Sequence, residues 1–361
     1  MCWNSGRREN KVKRKLWYPV TLFMVILLLA LSFYRLPFYI EKPGMAHELE
    51  SIVQVQGGYP ENGKLMLTTV QLGKANIYNY LLAKVKKYDD IVPVDEIKDQ
   101  NQTDEEYNVY QLYLMESSKH NAIQIAYKKA NKPYHFVYKG VYVLDVYPKM
   151  PAAKVFQPGD RIIRVDNHTF SSSDQFIQFI AKKRVGDVIQ VGYVRNNEVK
   201  TGRIKLAKFK ASGGKVGMGI GLVDDRELIS KPKVSLKTDS IGGPSAGLMF
   251  SLEIYNQLTK QDITRGYSIA GTGTIDPDGK VGRIGGIDKK VVAAAKEKAD
   301  IFFAPNDKIT PEMKKAMPNI KTNYQEALLA AKDIRTKMKI VPVKSFDDAL
   351  AYLQKLPQKN R

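Results

Sequence analysis

Ser245 stands in Gly242-Gly243-Pro244-Ser245-Ala246-Gly247, and Lys290 follows forty-five residues later in Gly285-Gly286-Ile287-Asp288-Lys289-Lys290. A serine hydroxyl becomes a good nucleophile when a neighbouring base takes its proton, and a lysine can be that base once its own proton is driven off. The pair therefore reads as nucleophile and base. Small residues around Ser245 leave room for a substrate carbonyl and free backbone N–H groups for an oxyanion. Ala246 to Asn256 has helical apolar spacing, which predicts Ser245 at a helix N-terminus, where the dipole favours developing negative charge.

Helical spacing also places the lysine. On a helix opening near Gly286, Ile287, Val291, Ala294 and Ala295 form an apolar stripe with Lys290 on its rim. Lys289 shares the opposite face with Lys296 and is expected to be a solvated surface residue. To be neutral at pH 7, Lys290 must drop from about 10.4 to near 7, about 4 kcal/mol, and both desolvation and the positive end of its helix push that way.

These residues resemble the proteolytic domain of the Lon family, whose signature is a PSAG serine followed by a GG-x-x-x-K lysine. Gly271-Thr272-Gly273 falls where that family places a threonine that helps hold the lysine. The resemblance runs from about Lys231 to Leu353. It takes in Ala299 to Pro305 as a late strand and Ser345-Phe346-Asp347-Asp348 as a capped helix start. It implies Ser245 as nucleophile, Lys290 as base, Thr272 as its orienter, and an oxyanion site around Gly243, Pro244 and Ser245. Gly242 stands where the family often carries an acid, and Asp239 is the nearest one.

A second pattern occupies residues 134–208. Lys139-Gly140-Val141-Tyr142-Val143 precedes Met150-Pro151-Ala152-Ala153 and then Gln157-Pro158-Gly159-Asp160. A helix is expected from about Ser173 to Lys182, and a strand over Val188 to Val194. This resembles a bacterial PDZ domain. Gly140, Val141, Tyr142 and Val143 would then be the carboxylate loop and the strand to which a peptide substrate adds by β-augmentation.

The elements that carry these motifs sit in a 361-residue chain of net charge +20. Arg7, Arg8, Lys11, Lys13, Arg14 and Lys15 precede Trp17 to Tyr34, a stretch without a charged residue. That predicts one transmembrane helix with the N-terminus cytosolic and everything beyond Leu36 outside the cell, with a cleaved signal peptide as the alternative. The basic excess suits an anionic surface, and no nucleic-acid motif accompanies it. Cys2 is the single cysteine, so no disulfide is expected. His47, His120, His135 and His168 show no metal-ligand spacing, and none lies near the catalytic motifs in sequence. No metal or cofactor is expected. Gly58 to Lys64 imitates a phosphate-binding loop, but Leu65 follows the lysine, and Leu65 to Val70 reads as a strand.

The expected architecture is a cytosolic basic tail (1–16), a membrane helix (17–36), an ectodomain segment (37–133), a mostly β PDZ domain (134–208) and an α/β, or α+β, Lon-type domain (209–361). Residues 63–72 are expected to lend an early strand to the last of these, with the PDZ inserted after it. Tyr88 to Glu106 reads as an exposed polar loop. This order resembles the membrane-anchored PDZ proteases of the YlbL type and implies an ATP-independent serine endopeptidase acting on small secreted or membrane-associated proteins. Two other functions fit the same residues: a PDZ scaffold with an inactive Lon-like domain, or a membrane hydrolase of non-peptide amides or esters. Substrate identity and oligomeric state are not legible in the sequence.

Overall fold

A computed structural model describes residues 6–99, 102–209, 213–238 and 241–359 of the chain, with side chains from Tyr18 onward except Leu27. The N-terminal part runs through α1 (Gly6–Phe33), β1 (Arg35–Glu48), β2 (Lys64–Asn76), β3 (Asp90–Pro93) and α2 (Asp104–Lys129). Next come β4 (Tyr134–Val146), β5 (Arg161–Val165), α3 (Ser173–Ala181), β6 (Val188–Arg195), β7 (Glu198–Lys205) and β8 (Ile220–Ser230). The C-terminal part holds α4 (Gly247–Leu258), β9 (Ser268–Gly271), α5 (Ile287–Lys296), β10 (Ile301–Pro305), α6 (Asn323–Asp333), β11 (Lys339–Val343) and α7 (Phe346–Gln354).

A six-stranded sheet in the order β11-β10-β9-β2-β1-β3 positions the catalytic motifs. β11, β10, β9 and β2 run parallel, while β1 is antiparallel to both β2 and β3. β2, which contains Leu65 to Val70, thus pairs directly with β9 from the other end of the chain. Side chains alternate across the sheet with the period of two that a strand imposes. Leu65, Leu67, Ile269, Phe303 and Val341 face a core built with α2, α4 and α7. Met66, Ala270, Phe302, Ala304 and Ile340 face a second core built with α5 and α6. The result is a three-layer α/β/α body.

The described parts of the segment expected to be a polar loop, Tyr88 to Glu106, form regular elements. Asp90 to Pro93 form β3 on the edge of the main sheet, and Thr103 caps α2 in a reciprocal box with Glu106. The Thr-x-x-Glu spacing of that box was readable in the sequence. The apolar residues that follow it gather on no single helical face, which disguised a 26-residue helix that packs along α4.

A separate core lies within the sheet β8-β4-β5-β6-β7 and helix α3, built on Val141, Val143, Ile162, Phe176, Ile189 and Val191. The helix and strand expected over Ser173 to Lys182 and Val188 to Val194 are α3 and β6. Asp160 is buried in the expected Pro-Gly-Asp turn and is held by Arg195 through two bonds of 2.7 and 2.6 Å. The sheet continues past residue 208, because β8 pairs with β4 from Ile220 opposite Val146 to Ser230 opposite Tyr134.

At the other end, the helix expected over residues 17–36 stops at Phe33, and β1 begins at Arg35. Among the described residues, no helix is long and apolar enough to cross a membrane. Tyr18, Leu22, Phe23, Leu29 and Phe33 of α1 are each more than half exposed. The side chains of the basic tail lie outside the described residues.

Candidate active site

Ser245 comes from the layer on one face of the main sheet and Lys290 from the layer on the other. They meet beyond the C-terminal end of β9, at Thr272. Ser245 lies just ahead of α4, whose N-cap is Ala246. Close packing requires the small residue that follows: a Cβ on Gly247 would lie 2.8 Å from both Ile275 Cγ2 and Ser118 Oγ. α5 opens at Gly286, whose φ of +62° is left-handed and where a Cβ would sit 2.5 Å from Glu41 Oε1. Only glycine fits both demands at that turn.

The three polar side chains form one chain of bonds. Lys290 Nζ lies 2.7 Å from Ser245 Oγ and donates to Thr272 Oγ1 at 3.1 Å. Thr272 Oγ1 in turn donates to the Ser245 carbonyl at 3.0 Å. With one N–H directed at Thr272, a neutral amine has its lone pair free to accept the serine proton. Lys290 is 3% exposed, and burial pushes its ammonium down to about 7, against the opposing pull of the Glu41 carboxylate. Burial pushes the Glu41 carboxyl itself above its ordinary range, while Lys289 draws it back.

Lys289 is not the solvated residue that helical phase implied. It is 2% exposed, and its ammonium reaches Asp90 at 2.5 Å and Asp288 at 3.3 Å. Burial alone would lower it, but Asp90, Asp288 and Glu41 together hold it above the usual lysine range. The edge strand β3 supplies Asp90, and a helical wheel of α5 alone contains no trace of that strand. Two adjacent lysines thus have opposite electrostatics. One is buried beside a hydroxyl, the other among carboxylates.

The oxyanion donors expected around Gly243 to Ser245 are narrowed by the structure. Gly243 N–H donates to Gln111 O at 3.0 Å, and Pro244 has no N–H. Gln111 belongs to α2, as does Ser118, whose hydroxyl donates to Pro244 O at 3.0 Å. The nucleophile turn therefore rests on a helix from a stretch of sequence that carried no catalytic signal. Asp239, the nearest acid, lies outside the described residues.

Ser245 and Lys290 open into a cleft of about 700 Å³. Its walls combine Met45, Ile52, Leu67, Met115 and Ile241 with Thr68, Thr69, Gln71, Lys237 and Thr238, so apolar and polar surface are mixed. His47 lines it too, although no histidine lies near Ser245 or Lys290 in sequence. His120 instead pairs with Glu116 at 3.2 Å. Among the described residues, no group of three or more His, Cys, Asp or Glu side chains could hold a metal ion.

The PDZ docking strand is the second departure. Val141 and Tyr142 pair with β5 on one side, and Gly140 to Val143 lie opposite Asp225 to Leu222 of β8 on the other. The edge that a peptide was expected to join is already paired.

Residues 237–355 match the family described as Lon protease (S16) C-terminal proteolytic domain, and residues 123–206 match the PDZ domain family. The Lon protease of Metamycoplasma arthritidis is 27% identical over 170 residues, covering 47% of this chain and 16% of that protein. The peroxisomal Lon protease homolog 2 of Caenorhabditis elegans is 27% identical over 183 residues, covering 50% of this chain and 21% of its own. The chain thus spans a minor part of the length of these relatives. Among solved structures, the PDZ domain of the SdrC-like protein from Listeria monocytogenes is 39% identical, covering 24% of this chain and 90% of that one, with a TM-score of 0.23. The chain therefore joins a PDZ domain to a Lon C-terminal proteolytic domain, a domain of a serine peptidase family.

Proposed function

We propose that this protein is an ATP-independent serine endopeptidase in which Ser245 attacks the scissile carbonyl and Lys290 is the general base. The observation that carries the reading is a buried lysine amine, lowered to about 7, 2.7 Å from a serine oxygen at the head of a cleft. Lys290 accepts the hydroxyl proton as Oγ bonds to the carbonyl carbon, and returns it to the leaving amine as the acyl-enzyme forms. Thr272 fixes the amine's rotation. With Gly243 engaged by Gln111, the Ser245 N–H just ahead of α4 serves the oxyanion, aided by the helix dipole. Deacylation repeats the sequence with water as nucleophile.

The decisive experiment compares purified wild type with Ser245→Ala on β-casein and on a fluorogenic peptide without ATP. Wild-type cleavage with an inactive, folded variant is expected. Equal cleavage by both would discard the nucleophile, and no cleavage by wild type would favour the scaffold reading.

The same proposal places the protein at a membrane, with the proteolytic domain outside the cytoplasm and small secreted or membrane-associated proteins as substrates. Its support is the basic cluster before Trp17 and the exposed apolar side chains of α1. Protease added to intact protoplasts should then digest the C-terminal domain, whereas a protected domain would reverse the orientation.

A further inference from the structure

We infer that the cavity beside the C-terminal half of α4 is a binding site for an alkylammonium group, with Glu253 and Glu61 accepting from its N–H donors. The cavity holds about 790 Å³ and shares no lining residue with the cleft at Ser245. Glu50, Glu61 and Glu253 line it against one cation, Lys233, while Tyr59 and Pro60 add apolar surface.

Carboxylates gathered at a surface would be ordinary, but Glu253 is fully buried and its Oε2 has no hydrogen-bond partner. Its Oε1 accepts from Gln257 one turn later, and Glu61 Oε2 accepts from Asn256 Nδ2 at 2.8 Å. The Glu61 side chain lies within hydrogen-bond reach of Glu253. Two ionised carboxylates are acceptors only, so neither completes the other, and the missing component is a donor. Burial raises both carboxyls, and the charge on Glu253 raises Glu61 further, so a shared proton can fill that role at low pH.

An ammonium fills it once the proton has left, because it brings three N–H donors, a compact positive charge and no acceptor. A guanidinium fits less well. Its planar fork pairs best with both oxygens of one carboxylate, and here each carboxylate already has one oxygen bonded to an amide of α4. These side chains do not form a metal site either. The methylene stem of an alkylammonium can lie along Tyr59 and Pro60 while its head reaches the carboxylates. Gln257 ties the site to the chain around it, since its amide also bonds Val53 O at 2.9 Å and Val55 N at 2.8 Å. The same chemistry is offered by a free amine and by a lysine side chain of a protein.

The test is isothermal titration calorimetry on the full chain carrying Ser245→Ala, with cadaverine as the free amine and Nα-acetyl-lysine methylamide as the lysine side chain. No arm reads proteolysis, so the outcome is independent of the protease reading. At about pH 8.5 one of the two should bind with a Kd of about 1 mM or tighter, and the tighter binder names the source. Tetramethylammonium has the same charge but no N–H, and should bind at least about tenfold more weakly. Glu253→Gln supplies the missing donor from within the protein and should weaken binding at least about tenfold, with circular dichroism as the folding control. Glu61→Gln repeats the test from the less buried carboxylate. The amine stays charged at pH 6, but the shared proton competes there, so affinity should fall about tenfold or more. Glu50 and Asp262 are the other acids that act on the pair, and Lys233 is the cation on the wall; Glu50→Gln, Asp262→Asn and Lys233→Ala should each change affinity less than Glu253→Gln. Absence of binding by both primary amines would overturn the inference. So would equal binding of tetramethylammonium, or undiminished binding in folded Glu253→Gln and Glu61→Gln.

Discussion

If Lys290 must be neutral to accept the serine proton, cleavage should be switched by pH at the lysine itself. The amine is 3% exposed and titrates near 7 because burial disfavours its charged form. A base with that value is about 10% competent at pH 6 and about 90% at pH 8, so kcat/KM should rise roughly tenfold across that interval and then level off. An unperturbed lysine, near 10.4, would keep gaining about tenfold per pH unit past pH 9. Glu41 is the charge that opposes the lowering, so Glu41→Gln should move the rising limb toward acid. The assay is initial rates on a fluorogenic peptide from about pH 5.5 to 9.5, with circular dichroism at each end as a folding control. His47 lines the same cleft and is itself of a type that can act as a base, so His47→Asn is the necessary companion. A limb that climbs beyond pH 9, or one that disappears with His47, would refute the assignment. The same burial has a thermodynamic counterpart. Between about pH 7 and 10.4 the unfolded chain binds the proton that the folded chain has released, so stability rises with pH there and the burial cost is complete below 7. A displacement from 10.5 to about 7 corresponds to about 5 kcal/mol, the ceiling on the stabilisation expected of inactive Lys290→Met at pH 6.

Thr272→Val removes the acceptor for Lys290 and the donor to the Ser245 carbonyl, and should lower kcat about tenfold or more with KM little changed; steady-state kinetics decides, and an unaltered kcat would remove Thr272 from the site. Lys289→Ala leaves the carboxylates of Asp90 and Asp288 without their buried partner, and should lower the urea midpoint by the equivalent of about 1–3 kcal/mol; a wild-type midpoint would return Lys289 to the surface role its helical phase suggested. Glu253 on α4 is fully buried with Oε2 unpartnered. Burial raises both its carboxyl and that of Glu61, and the charge on Glu253 raises Glu61 further. Carboxyls raised in the folded state withdraw stability as pH climbs from about 4.3 through their raised values. Glu253→Gln should therefore gain thermal stability over wild type at pH 8 and lose that advantage near pH 4, and parallel melting curves across pH would contradict this.

The sequence by itself marked the proposed reacting groups and their immediate carriers. Small residues around Ser245, the paired glycines before α5 and the apolar stripe of Ile287, Val291 and Ala294 are local signals, β2, α3 and β6 were legible in the same way, and β10 followed from the family resemblance. Tertiary structure decided what lies against each face. Lys289 is buried where α5 packs on β1, with Asp90 of β3 taking its ammonium, and Lys290 is lowered because the apolar core closes over it with no carboxylate bonded to its amine. α2 supports the Pro244-Ser245 turn through Gln111 and Ser118, although its own residues carry no catalytic signal. Gly140 to Val143 are a strand as expected, yet their free edge is taken by β8, which returns from eighty residues further along the chain. Helical and strand periods are set by neighbours within a few residues and survive in one dimension. Protonation state and edge availability depend on which distant segment excludes the water, and that is fixed only when the layers pack.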